Sequence, residues 1–328
     1  MKMTSQIIKQ EVHKYGFALC GIAKSEPLTI DKERFEKALL QNFHAKKEYL
    51  ERDIDKRFHP ELLLENCKSV VVCGFNYNMG YVVEAKNILP SGERRREKGE
   101  GRKISQYVQI KDYHVFMKEK LEKLVKELQE KFGDFNYKTT IDSSAISEKA
   151  WAVQAGIGYY GKNGIIQTSF GSFIFLGTIL IDREVDVYDT PNQNSCGDCS
   201  KCIAACPTKA IVVPYYVDCN QCITNITLNK NETDFTRIAQ YGWLIACDIC
   251  QNACPNNIHA PVNEEAVTLR ASFLENKKEI FDTLTPDFFE CYFKGTVIYQ
   301  LKYEGLKKRL EQIMGDKLKR DKIQSKSL

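Results

Sequence analysis

The sequence predicts a mixed α/β (α+β) N-terminal domain, then a small cysteine-rich domain, then a helical C-terminal segment. Three observations predict it. Up to Asp182, apolar runs rich in β-branched residues alternate with amphipathic helical stretches. Nine of the thirteen cysteines fall between Cys196 and Cys254. Beyond residue 264 the chain is charged and reads as helix. The expected boundaries are residues 1–185, 186–263 and 264–328, and a chain of 328 residues allows about two domains.

Each element has its own signal. Residues 4–15 read as an amphipathic helix, followed by a short apolar strand from Phe17 to Ile22. Ser69 to Tyr77 is a continuous apolar run of buried-strand type. Residues 82–104 are polar, carry Pro90, and read as a long loop. Tyr113 to Phe132 places Leu121, Leu124, Val125 and Leu128 on one helical stripe, and Gly133 closes it. A strand near Tyr137–Ile141, a helix at Glu148–Ala155, a glycine-rich turn and a long strand from Phe173 to Ile181 complete the domain. Residues 186–195 are a polar linker.

Composition narrows the class. Hydrophobic content of 43% with 27% charged residues is ordinary for a globular protein. No apolar run reaches the ~18 residues that a membrane helix needs. The first ten residues lack the apolar core of a signal peptide, so a cytoplasmic protein without a membrane partner is expected. Such a compartment keeps thiols reduced, so clustered cysteines imply metal rather than disulfides. The scattered Cys20, Cys67, Cys73 and Cys291 read as buried small hydrophobes. The net charge is +4, with basic residues gathered at Arg94, Arg95, Arg96, Lys98, Arg102 and Lys103. A second group is Lys307, Lys308, Arg309, Lys317, Lys319, Arg320 and Lys322. Such patches suit a polyanion such as RNA, although acidic residues interleave in both.

The cysteine run is Cys196-x-x-Cys199-x-x-Cys202-x-x-x-Cys206-Pro207. Two-cluster bacterial ferredoxins use this spacing for [4Fe–4S] clusters, and there the fourth cysteine ligates the other cluster. A second arm, Cys247-x-x-Cys250-x-x-x-Cys254-Pro255, supplies the complement. Soft thiolates suit iron–sulfur clusters, and the complete run in two arms favours clusters over a four-thiolate zinc site. The crossing rule assigns Cys196, Cys199, Cys202 and Cys254 to one cluster. It assigns Cys206, Cys247 and Cys250, with Cys219 or Cys222, to the other. Spacing does not choose between the last two. Paired clusters carry single electrons inward from a ferredoxin- or flavodoxin-type donor. The long segment ahead of them points to an attached reaction site rather than a plain carrier.

Within that segment Asp142 stands where a strand ends, as a working acid or as the cap of the next helix. Asp112 opens the long helix as a cap. The five histidines show no metal-ligand spacing, and no corrinoid-ligating Asp-x-His-x-x-Gly is present. Ala155 to Gly164 is glycine-rich but is neither a dinucleotide fingerprint nor a P-loop.

Taken together these residues resemble the epoxyqueuosine reductase family of cobalamin-dependent iron–sulfur enzymes that complete queuosine in tRNA. The resemblance covers Arg57-Phe-His-Pro60, Lys111-Asp-Tyr-His114, Asp142 to Trp151, Ala155 to Asn163 and Phe170 to Gly177. It is strongest over Cys196 to Thr208, Gln221 to Thr227 and Cys247 to Pro255. It implies a cobalamin-binding N-terminal domain ahead of the ferredoxin-like double [4Fe–4S] domain, with the corrinoid base-off between them and without a histidine ligand. It implies Cys222 as the eighth cluster ligand and Cys219 as the spare. It implies Asp142 as the acid that protonates the departing oxygen, with a carboxyl pKa raised in a dry pocket. Arg57, Asp142, Lys162, Asn163, Ile166 and Thr224 are the implied corrinoid contacts, and tRNA the implied partner. The chain departs from the family pattern in places. Ser143-Ser-Ala145 replaces Thr-Gly-Pro, Gln109-Ile-Lys-Asp112 stands where Gly-Arg-Asp is usual, and Glu304-Gly-Leu-Lys-Lys-Arg309 replaces an Arg-Asn pattern. A paralogous corrinoid reductase with a different small substrate, or a double-cluster electron-transfer protein, is the alternative expectation.

Overall fold

The computed structural model describes residues 3–80, 103–142, 144–271, 281 and 283–324, with side chains as far as Ile313 and at Gly315. The basic stretch from Arg94 to Arg102 lies outside the described residues, as do the side chains of Lys317, Lys319, Arg320 and Lys322.

A four-stranded sheet forms the N-terminal half, in the order Leu19–Lys24, Ser69–Asn76, Ile174–Ile181, Tyr137–Thr140. Every neighbouring pair is antiparallel, so the expectation of mixed helix and sheet resolves to its α+β form. The strand Ser69–Asn76 is buried at every residue because helices cover both faces of the sheet. Successive side chains point to opposite faces. Val71, Cys73 and Phe75 join Met117, Leu121 and Leu124 of the long helix Tyr113–Phe132 in one apolar cluster. Val70 and Val72 join Ala150 and Trp151 of the helix Glu148–Gln154 in another. That second layer lies very close to the sheet: a Cβ at Gly21 would collide with the backbone carbonyl of Ala155.

The cysteine segment is built from short helices at Lys201–Ala205, Ile223–Leu228 and Ile249–Asn252. A third apolar cluster runs from Ile223, Phe235 and Trp243 into Phe289, Phe293, Leu306 and Ile313, so the C-terminal helices Pro286–Phe293 and Lys302–Gln324 pack directly on it. The segment is tied to the sheet by amides rather than by apolar area. Asn76 and Asn78 donate to the carbonyls of Pro261 and Ala260 at 2.8 and 3.0 Å. The wholly buried Asn257 accepts the Ser172 N–H at 2.7 Å. Gly171, at φ 79°, leaves room for that approach, since a Cβ there would meet the Asn257 side chain. No helix among the described residues is long and apolar enough to cross a membrane.

Three expectations need correction. Arg309 is not part of a solvated basic patch. It is 3% exposed, donates to the carbonyls of Thr227, Gly305 and Asn229, and lies over the ring of Phe235 at 4.6 Å. Cys291 is exposed, because its helix turns Phe289 and Phe293 inward and leaves Cys291 on the solvent side. Cys20 is only half-buried. Cys67 and Cys73 are buried, at 1% and 0% exposure.

Candidate active site and cysteine centre

Asp142 stands two residues beyond the strand Tyr137–Thr140, in a left-handed conformation at φ 51°. Its carboxylate does not cap the following helix, whose N-cap is Ser147. It accepts instead from the Tyr113 hydroxyl at 3.1 Å, and its Oδ2 lies 3.8 Å from His114 Nε2. The other His114 nitrogen meets Asp112 Oδ1 at 2.7 Å. Asp112 also caps the long helix, accepting from the His114 N–H at 3.1 Å, so one turn of helix sets the imidazole in place. Aromatic stacking holds the neighbouring Tyr113. Its ring lies 4.2 Å from Phe175, which in turn stacks on Tyr77 at 4.2 Å.

Asp142 and Lys149 keep exposed surface. Electrostatic influence links the groups around them. Tyr49 feels Asp142, Arg57 and Cys219; Tyr107 feels Asp248, Asp142 and Cys222; Lys149 feels Cys219, Asp142 and Glu148. Asp142 on the sheet domain and Cys219 and Cys222 on the cysteine segment therefore lie within electrostatic reach of the same side chains. A shallow depression lined by Leu64, Asn66, Gln129, Phe135 and Tyr137 lies at the far end of the Tyr137–Thr140 strand, away from this chemistry.

Protonation around Asp142 differs from expectation. Burial pushes the Asp142 carboxyl up, but the nearby His114, the Tyr113 hydroxyl and the charge of Lys149 outweigh it and hold the group below its usual value. Burial pulls His114 down, but its bond to Asp112 and its ion-pair contact with Asp142 carry it up to about 9. The raised carboxyl is Glu148: burial and then the charge of Asp142 lift it to about 8. At neutral pH in the free chain, protons sit on His114 and Glu148, and Asp142 is ionised. His114, Tyr113, Glu148 and Lys149 were not singled out from the sequence as site residues. The available signal was Lys111-Asp-Tyr-His114 and Asp142 to Trp151, which entered the family resemblance without a role for these four residues.

The expected corrinoid contacts separate. Arg57 is 9% exposed, donates to the Tyr49 carbonyl at 2.7 Å, and keeps a buried Nε without a hydrogen-bond partner. Asn163 is 5% exposed with an unpartnered Nδ2. Lys162 donates to Gly197 in the first cysteine loop at 2.6 Å, and Thr224 donates to the Cys247 carbonyl at 3.4 Å. Ile166 is 4% exposed and packs in the Trp151 cluster, which leaves it little surface for a ligand.

The thiols fall into two neighbourhoods. Burial raises Cys202, and Cys196, Cys254 and Cys199 raise it further; Cys254 in turn feels Cys196 and Cys199. Burial raises Cys250, with Cys222, Cys206 and Cys202 adding to it, and Cys247 feels Cys250 and Cys222. Cys219 instead faces Lys47, Cys222 and Lys149. Among the described residues no three His, Cys, Asp or Glu side chains converge tightly enough to chelate one ion. Backbone N–H groups of Ala210 and Ile249 point at Cys206 and Cys247 sulfur at 3.3 and 3.5 Å, the kind of bond that tunes a cluster.

An acid–base set within electrostatic reach of paired cysteine neighbourhoods defines the class: an iron–sulfur oxidoreductase. Residues 195–257 match the family model described as "4Fe-4S double cluster binding domain", and residues 57–143 match "Epoxyqueuosine reductase QueG, DUF1730". The chain belongs to the epoxyqueuosine reductase family. It is 34% identical over 318 residues to the epoxyqueuosine reductase of Cyclobacterium marinum, covering 95% of this chain and 97% of that one. It is also 34% identical over 312 residues to that of Cellulophaga algicola, covering 94% and 97%. The fold matches a crystal structure of epoxyqueuosine reductase with a tRNA-Tyr epoxyqueuosine-modified stem loop, at TM-score 0.79 and 24% identity over 94% of this chain and 80% of that one.

Proposed function

We propose that this chain reduces epoxyqueuosine to queuosine in tRNA, using two [4Fe–4S] clusters and a cobalamin. The carrying observation is the electrostatic link between Asp142 and the cysteine neighbourhoods through Tyr49, Tyr107 and Lys149. Removing an epoxide oxygen as water, with formation of a double bond, consumes two electrons and two protons. The site therefore needs an electron path and a proton path in one place.

Cys196, Cys199, Cys202 and Cys254 would ligate one cluster, and Cys206, Cys222, Cys247 and Cys250 the other. The two thiol neighbourhoods support that partition, with Cys219 as the spare. The buried, unpartnered Arg57 Nε and Asn163 Nδ2 fit a ligand rich in amide oxygens, and with Lys162 and Thr224 they are the residues that would hold the corrinoid. When bound, that group supplies a low-potential reductant at the epoxide carbon, fed by the clusters. The chain's own residues handle protons. Asp142 would deliver a proton to the departing oxygen, and His114, whose Nε2 lies 3.8 Å from Asp142 Oδ2, would hold the proton that replaces it once the two close to hydrogen-bond distance. Asp112 holds the imidazole with Nε2 toward Asp142. Tyr113 fixes the carboxylate through its hydroxyl.

The tRNA reading rests on family membership and on the relative solved with a modified stem loop. A ferredoxin- or flavodoxin-type donor and a cytoplasmic location complete the proposal. The test is nucleoside analysis of epoxyqueuosine tRNA after incubation with the reconstituted protein and a reductant. Queuosine formation supports the reading. Corrinoid binding without tRNA binding would support a small-substrate paralogue instead.

A further inference from the structure

The strand Tyr137–Thr140 ends two residues before Asp142, so the Asp142 N–H has no strand partner. That N–H donates to Glu148 Oε1 at 2.6 Å. Asp142 is also left-handed at φ 51°, a conformation that non-glycine residues leave unless something holds them there. Glu148 is well placed to hold it. It begins the helix Glu148–Gln154, whose Trp151 is wholly buried and whose preceding Ser147 N–H donates to the Arg57 carbonyl at 2.9 Å. The grip therefore comes from a rigid element, and the gripped residue sits on the loop between strand and helix.

We propose that Glu148 is the positioning residue of the proton-donating site: its carboxyl latches the Asp142 backbone and so keeps the Asp142 side chain turned to Tyr113 and His114. The proposal rests on the reaction proposed above for its catalytic consequence, but not for its structural one. A latch of this kind needs an acceptor oxygen rather than a charge. Burial and the nearby Asp142 charge keep Glu148 protonated at neutral pH, with His114 and Lys149 the other charged groups acting on it. A neutral carboxyl still accepts through its carbonyl oxygen. Glutamine offers the same oxygen, and alanine offers none.

The experiment uses the protein reconstituted with both clusters and supplied with cobalamin, and compares wild type, Glu148→Gln and Glu148→Ala by two readouts. Amide hydrogen exchange follows the peptide spanning residues 141–147. Turnover on epoxyqueuosine tRNA is resolved into kcat and KM. We expect Glu148→Ala to lose protection in that peptide alone and to lower kcat by about a hundredfold with KM unchanged, as a misplaced catalytic group does. We expect Glu148→Gln to restore the protection and most of kcat. Equal protection in all three proteins would overturn the latch, and so would a Glu148→Gln variant as unprotected as Glu148→Ala. General unfolding of Glu148→Ala would show as exchange throughout the helix Glu148–Gln154, and Glu148→Gln then decides the matter alone. If wild type fails to convert the tRNA, the proposed reaction fails while the exchange result still judges the latch.

Discussion

His114 Nε2 lies 3.8 Å from Asp142 Oδ2, with the other face of the same imidazole bonded to Asp112. One ring thus stands between two carboxylates. That arrangement favours the imidazolium and keeps Asp142 ionised in the free chain, and in the proposed reaction it would store a proton beside the acid.

Replacing Asp142 with Asn should remove proton delivery while leaving the thiol neighbourhoods intact. The expected result is a loss of turnover of about 10²–10⁴-fold with unchanged iron and sulfide content. Turnover close to wild type in this variant would remove Asp142 from the acid role.

His114 makes a pH prediction. Its pKa rises from about 6.5 in the unfolded chain to about 9 in the fold. A raised value means that the stabilisation is fully present below pH 6.5 and is lost as pH climbs through 9. The Asp142 side of the contact behaves oppositely, since its value is lowered, and fades on acidification through that depressed value. Denaturant titrations of wild type and His114→Gln should therefore differ most between about pH 5 and 7, and converge toward pH 10. A gap that widens with rising pH would contradict the assignment of the shift.

The cysteine partition is tested by iron content. Cys222→Ser should cost about half the bound iron, because one of two clusters loses a ligand. Cys219→Ala should cost none, since Cys247 and Cys250 both feel Cys222, while Cys219 faces Lys47, Cys222 and Lys149. The reverse pattern would exchange their roles.

Arg309 separates structure from RNA binding. Its guanidinium satisfies three backbone carbonyls inside the C-terminal core. Arg309→Ala should destabilise the fold by on the order of 3 kcal/mol, measured by denaturant unfolding. The affinity of the folded fraction for tRNA should be unchanged. Lost affinity at unchanged stability would restore Arg309 to a phosphate-binding surface.

What the sequence made legible follows from periodicity and spacing. The helix Tyr113–Phe132 and the strand Ser69–Asn76 were readable because their apolar patterns match burial on one stripe or on both faces. The two cysteine groups were readable because local loops carry the ligands. The helix Thr29–Leu40 left no such trace, since none of its residues is fully buried. The acid–base set was also hidden. Tyr113 and Asp142 are 29 residues apart, and only the fold of the long helix over the sheet brings them together. Arg309 shows the limit of charge patterns: a basic run does not say which of its members turns inward.

The most direct test is single-turnover conversion of epoxyqueuosine tRNA by the cluster-reconstituted chain, with and without added cobalamin. The account predicts that queuosine appears only when cobalamin is present, and that Asp142→Asn abolishes it. Conversion of equal extent without cobalamin, or no conversion under either condition with both clusters filled, would contradict it.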